Sequence, residues 1–152
     1  MKKLIDVYPY RLNGTVSEFL LLKRSEKKIY SGQWRMIGGK VKENETSWQG
    51  ALRELKEETG QVPVKFWAVP SVNQFYEASS DAIHSIPAFA AELDYNAPIT
   101  LDEEHTDYKW VNIEEIEPYI KWPEQRRLIK LVSGLLTDKS LGIIPEWLIE
   151  VP

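Results

Sequence analysis

The sequence predicts an α/β domain, and three observations predict it. Strand-like and helix-like segments alternate along the chain, with no repeat and no low-complexity linker. An Asn-Gly pair at residues 13–14 stands between two apolar runs, a strong signal for a two-residue hairpin. The chain has 152 residues, enough for one domain with a substantial core and too few for two ordinary ones.

Each element has its own warrant. Residues 4–11 and 15–24 are the arms of the first hairpin, and the second arm, VSEFLLLKR, is apolar enough for a central strand. A loop with Ser31-Gly32 leads through residues 33–37 to Gly38-Gly39, where the backbone is free to turn tightly. A helix is expected over 45–59, because good helix formers fill it. Asn44 or Thr46 can cap its start, and Gly60 suits the left-handed residue that ends it. Residues 62–77 and 83–93 form a second long hairpin around the polar turn 78–81. Residues 108–112, YKWVN, are a short strand. Pro123 then opens a helix over 123–136, with apolar positions at Leu128, Ile129, Leu131, Val132 and Leu135.

The first helix carries the chemistry. Residues 39–61 read GKVKENETSWQGALRELKEETGQ, so Glu54, Glu57 and Glu58 fall at i, i+3 and i+4 and share one face. Like charges so spaced destabilise a helix by roughly 0.2–0.5 kcal/mol per pair, unless a cation neutralises them. Carboxylates with no Cys and no neighbouring His suit Mg²⁺ or Mn²⁺ better than zinc. The backbone freedom of Gly38 and Gly39 lets a main-chain carbonyl approach the same ion. Arg53 only donates, so its expected task is to hold a carboxylate such as Glu57, one turn on, in a ligating rotamer. Trp48, Ala51, Leu52 and Leu55 form the opposite, apolar face.

Gly39, Glu45, Arg53, Glu54, Leu55, Glu57, Glu58 and Gly60 stand at the spacings of the pattern G-x5-E-x7-R-E-U-x-E-E-x-G-U, where U is aliphatic. Only the last place departs, with Gln61 there and Val62 one step later. By this pattern the chain resembles the Nudix hydrolases. The resemblance implies a mixed sheet between helices, an α/β/α sandwich, over about residues 1–136. It implies hydrolysis of a nucleoside diphosphate linked to another moiety, with Glu54, Glu57, Glu58 and the Gly39 carbonyl as Mg²⁺ ligands and Mn²⁺ as a substitute. Glu45 and Arg53 would support the loop and helix. The general base would be a box glutamate or a carboxylate from a later loop.

That later loop is the acidic run LDEEHTDYKWV at 101–111, with Asp102, Glu103, Glu104 and Asp107 as its carboxylates. The string E-H-x-x-Y-K-W at 104–110, followed by Lys121-Trp122 and Gln125–Arg127, resembles the bacterial dihydroneopterin triphosphate pyrophosphatases. That likeness implies a place for Glu104 beside the metals, and so a catalytic set of Glu54, Glu57, Arg53 and Glu104. It points to a pterin triphosphate or a purine nucleoside triphosphate as substrate, split to the monophosphate and pyrophosphate. Dinucleoside polyphosphates or nucleotide sugars are the alternative substrates, and a nucleotide sensor that does not cleave is the alternative function. Lys23, Arg24 and Lys40 are the candidate phosphate contacts. Tyr30, Trp34, Phe75, Tyr76 and Trp122 are candidates for stacking on a ring, Trp34 and Trp122 foremost. His84 and His105 are read as structural or surface residues.

Composition narrows the rest. A net charge of −4 argues against broad nucleic-acid binding, and the absence of Cys removes disulfides and thiol chemistry. The N-terminus has no apolar run of signal-peptide length and no segment could span a membrane, so the cytoplasm is the expected compartment. Residues 137–152 form a tail that carries Ile143, Ile144, Trp147, Leu148 and Ile149. So apolar a tail is expected to pack on its own domain or on a second subunit as a homodimer.

Overall fold

In a computed structural model, which describes residues 3–26, 31–137 and 142–152, the strand β1 (Leu4–Asn13) organises the sheet. One edge of β1 is shared by two antiparallel partners. β2 (Val16–Arg24) takes residues 10–13 through the Asn13-Gly14 hairpin, and β4 (Ile37–Lys40) takes residues 4–7. The other edge takes β6 (Ala82–Glu92) in parallel, and β5 (Lys65–Glu77) completes that side as the antiparallel arm of the second hairpin. β2 also pairs with the two-residue β3 (Trp34–Arg35) and with β7 (His105–Asn112). The sheet is therefore mixed and seven-stranded, with one parallel contact at its centre.

Side-chain alternation divides the core into two layers. Ile5, Val7, Leu20 and Leu22 face helix α1 (Ser47–Thr59) and meet its Ala51 and Leu55. Tyr8, Tyr10, Phe19 and Leu21 face helix α2 (Pro123–Thr137) and meet Leu128, Ile129 and Val132. This is the α/β/α sandwich expected from the sequence.

Local chemistry sets the helix ends. Thr46 caps α1 reciprocally with Gln49: its hydroxyl accepts from the Gln49 N–H at 3.2 Å, and its own N–H donates to Gln49 Oε1 at 2.8 Å. Gly60 ends the helix at φ 76°, a left-handed conformation that glycine takes without steric penalty.

Three boundaries differ from the sequence reading. The stretch 33–37, read from the sequence only as the approach to the glycines, carries β3 and the start of β4, because the chain crosses from the edge of β2 to the edge of β1 at Met36. Gly38 and Gly39 lie within β4, paired with Asp6 and Ile5, and not in a tight turn. β7 begins at His105, three residues earlier than the aromatic run suggested, because its pairing with β2 extends to Arg24.

Residues 142–152 fold back along β5. The Ile149 N–H donates to the Phe66 carbonyl at 2.9 Å, and Leu148 bridges Trp67. Ile143 and Trp147 pack into the layer under α2, while Ile149 and Val151 pack into the layer under α1. No described helix is long and apolar enough to cross a membrane.

Candidate active site

Arg53 is the hub of the charged face of α1. Its Nε and Nη2 grip the Glu45 carboxylate, at 3.1 and 2.7 Å, and Nη2 also donates to the Lys40 carbonyl at 2.8 Å. Nη1 reaches Glu54 at 3.0 Å and Glu57 at 3.3 Å. Arg53 thus ties the loop before the helix to two of its acids, Glu54 as well as the Glu57 that the sequence offered as an example. The Arg53 guanidinium and the Lys42 N–H hold the Glu45 carboxyl down to about 2. Exposure is graded along the face: the Glu58 side chain is 4% exposed, Glu54 15% and Glu57 52%.

Gly39 explains itself against this cluster. A Cβ there would collide with the Glu54 side chain, so the residue must lack one for strand and carboxylate to touch. Gly39→Ala is expected to lower stability by about 1–3 kcal/mol through overpacking, measurable as a drop in Tm. An unchanged Tm would show that Glu54 does not need that space.

Glu58 is the most constrained acid. It is buried, its Oε1 lies 3.5 Å from His105 Nε2, and its Oε2 has no hydrogen-bond partner. Burial, a hydrogen bond shared with Glu54, and the charges of Glu54, Asp102 and Glu104 push its pKa far above the usual carboxylate range. His105 is also buried, and its Nδ1 lies 2.8 Å from Asp102 Oδ1. Glu58, Asp102 and His105 present ligand atoms within 4.8 Å of one another, a grouping able to hold a metal ion.

An orphaned buried oxygen ringed by acids is what a divalent metal would satisfy. The residues present therefore fit such an ion. The sequence reading took His105 as a structural or surface residue and missed its place beside Glu58. The clue was available in its direct succession to the acidic run.

A cleft of about 650 Å³ opens next to this cluster. Gly39, Glu58, His105 and Arg24 line it, as do the aromatic side chains of Phe75, Tyr76 and Trp122. Glu104 lies 3.8 Å from Arg24, at the edge of the same group. Lys23, Lys40 and Trp34 are not among the described lining residues. Lys40 offers its carbonyl to Arg53 and Trp34 packs edge-on against Tyr119, with centroids 5.9 Å apart. The Lys23 ammonium lies 6.0 Å from the Trp34 ring, outside the lining as well. His84 stacks on Phe75 and meets Glu77 at 3.4 Å. Tyr30 lies outside the described residues.

One lining residue had no place in the sequence reading. Asp6 is buried in the cleft wall, where Asn73 donates to it at 2.8 Å and the Tyr8 hydroxyl at 3.3 Å. Burial raises its pKa from 3.8 to about 6, against the lowering effect of those two hydrogen bonds and of Arg35. A charge inside the apolar run LIDVYPY was the signal.

Known proteins are similar to this chain in sequence and fold. A family model described as the NUDIX domain matches residues 5–132. The nucleoside triphosphatase NudI of Enterobacter is 30% identical over 126 residues, covering 78% of this chain and 89% of that protein. Nudix hydrolase 6 of Arabidopsis thaliana is 31% identical over 139 residues, and the match spans 86% of this chain but 46% of that longer protein. Among solved structures, the dihydroneopterin triphosphate pyrophosphohydrolase of E. coli superposes with a TM-score of 0.69 at 24% identity, over 84% of this chain and 91% of that one.

Proposed function

The chain belongs to the Nudix hydrolase family, and from that premise we propose that it is a Mg²⁺-dependent cytoplasmic pyrophosphohydrolase. Its substrate in this reading is a nucleoside or pterin triphosphate, cleaved to the monophosphate and pyrophosphate. The single observation that carries the reading is that Glu58 and His105, two members of the metal-capable group, line one cleft with three aromatic side chains. The cleft volume, about 650 Å³, is that of a site for one small organic ligand. The similarity to a nucleoside triphosphatase supports a mononucleotide-sized substrate. The E-H-x-x-Y-K-W string at 104–110 supports a pterin as the other option.

Glu54, Glu57 and Glu58, with the Gly39 carbonyl, are the assigned holders of the ion, and Asp102 and His105 stand beside Glu58 as further donors. Bound there, a divalent ion supplies charge neutralisation for the phosphates and acidifies water. Arg53 keeps Glu54 and Glu57 in place by hydrogen bonds from one nitrogen. Arg24, in the cleft wall, meets a phosphate oxygen, while Phe75, Tyr76 and Trp122 hold the ring. Water adds its oxygen to phosphorus, the bond to the bridging oxygen breaks, and pyrophosphate leaves. Glu104 is assigned to take the proton released by that water.

A product-resolved assay in Mg²⁺ tests this. The panel contains dihydroneopterin triphosphate, the eight common nucleoside triphosphates, a diadenosine polyphosphate, ADP-ribose and a nucleotide sugar. Pyrophosphate and a monophosphate from one triphosphate is the expected result. Cleavage confined to the linked dinucleotides would overturn the substrate class, and binding without any turnover would overturn hydrolysis.

A further inference from the structure

Asp6 points to what the cleft reads. Ile5 and Val7 belong to the layer under α1, so Asp6, between them, projects with Tyr8 to the opposite face of β1. The two glycines of β4 mark the same division: a Cβ at Gly38 would meet Asp6, whereas one at Gly39 would meet Glu54. Asp6 therefore sits across the sheet from the box carboxylates and is not one of their set.

Its two oxygens are unequal. Asn73 and Tyr8 both donate to Oδ2, while Oδ1 receives no hydrogen bond from any described residue. Nor is Oδ1 among the sealed atoms that lack a partner, so it is open to the cleft that Asp6 lines. Arg35 acts on Asp6 more weakly than burial does, and its guanidinium lies over the Trp122 ring, 5.1 Å from the centroid. The amide nitrogen of Asn73 is committed to Asp6, so its carbonyl oxygen is a second acceptor in the same wall.

We infer that Asp6, steadied by Asn73 and Tyr8, reads the edge of a heterocycle that presents two adjacent N–H donors, the amide–amidine edge shared by guanine and pterins. Two acceptors in a sheltered wall match paired donors and nothing else among the common rings. Adenine and cytosine would place an unprotonated ring nitrogen against a carboxylate, and uracil offers one donor between two carbonyls. An acceptor left without its donor in such a wall is penalised, which makes the discrimination steep. The inference rests on the nucleotide reading of the cleft and narrows it.

Equilibrium binding separates the two. The probes are the non-hydrolysable α,β-methylene triphosphates of guanosine, inosine and adenosine, in Mg²⁺, with the wild type and Asp6→Asn. The variant keeps an oxygen for Asn73 and Tyr8, and its melting curve checks that it folds. The wild type should favour guanosine over adenosine by about tenfold or more, with inosine between them. Asp6→Asn should bring guanosine and adenosine to within about threefold of each other, mainly by weakening guanosine. An unchanged ratio in the variant overturns the assignment of Asp6, and inosine binding as tightly as guanosine overturns the two-donor edge. Guanosine selectivity in a chain that hydrolyses none of the panel would overturn the hydrolytic reading and leave this one standing.

Discussion

Glu58→Gln is expected to lower kcat by about a thousandfold, the loss typical when a group serving transition-state charge is removed, without lowering the Tm of the chelator-treated protein. The side chain is buried among Glu54, Asp102 and Glu104, and its Oε2 has no partner. Gln has the same shape and no charge, so it relieves the cluster while it removes an anionic ligand. The pH dependence carries the sign. Folding raises this carboxyl's pKa above its ordinary value of 4.5. A group shifted that way is harmless below 4.5 and destabilises the fold progressively as pH rises toward its folded pKa.

In chelator the wild-type Tm should therefore fall as pH climbs from 5 to 9, while the Glu58→Gln Tm should fall less. Asp6, raised to about 6, adds a smaller decline between about 4 and 6 that both proteins share. Millimolar Mg²⁺ should restore the wild-type Tm at high pH and do little for the variant. Parallel pH slopes in the two proteins, or turnover close to wild type, would remove Glu58 from the metal site.

Arg53→Lys is the second large effect: a fall in kcat of about 10–100-fold with KM little changed, as expected of a residue that orients ligands. An ammonium is one point charge, whereas the guanidinium spans Glu45, Glu54, Glu57 and the Lys40 carbonyl at once. Stability should drop by about 1–3 kcal/mol, because hydrogen bonds to charged groups are lost in a half-buried setting. Here the pH sign is opposite to that of Glu58. Glu45 is held down to about 2, so its contribution is present above 4.5 and disappears as pH falls toward 2. The gap in Tm between wild type and variant should be widest near neutrality and close in acid. A gap independent of pH, or a loss confined to KM, would contradict a role in setting the box carboxylates.

What the sequence revealed of this site was local, and what it hid was long-range. The helix over Ser47–Thr59 could be read with both its ends because Thr46, Gln49 and Gly60 act within a turn of their neighbours. Its carboxylates could be grouped because a helix converts spacing into a shared face. Gly38 and Gly39 read as a turn because glycine signals backbone freedom, and only pairing with β1 shows that their bare Cα atoms make room for Asp6 and Glu54. His105 and Asp102 reach Glu58 because β7 aligns with β2, a register that no local pattern encodes. Trp34 and Trp122 were indistinguishable as aromatic candidates, yet the first packs on Tyr119 and the second lines the cleft.

The position of β1 sets an order on assembly. It pairs with residues 16–19 across a hairpin, with 37–40 at middle range, and with 88–92 from far along the chain. During synthesis, a ribosome that has released the first hairpin has still to deliver the strand that covers its second edge. Synthesis at roughly 5–20 residues per second is slow beside such folding steps, so α1 emerges while its sheet is still incomplete. Asp102 and His105 arrive later still. A chain stalled before residue 102 would then carry the signature helix without the two residues that stand beside Glu58.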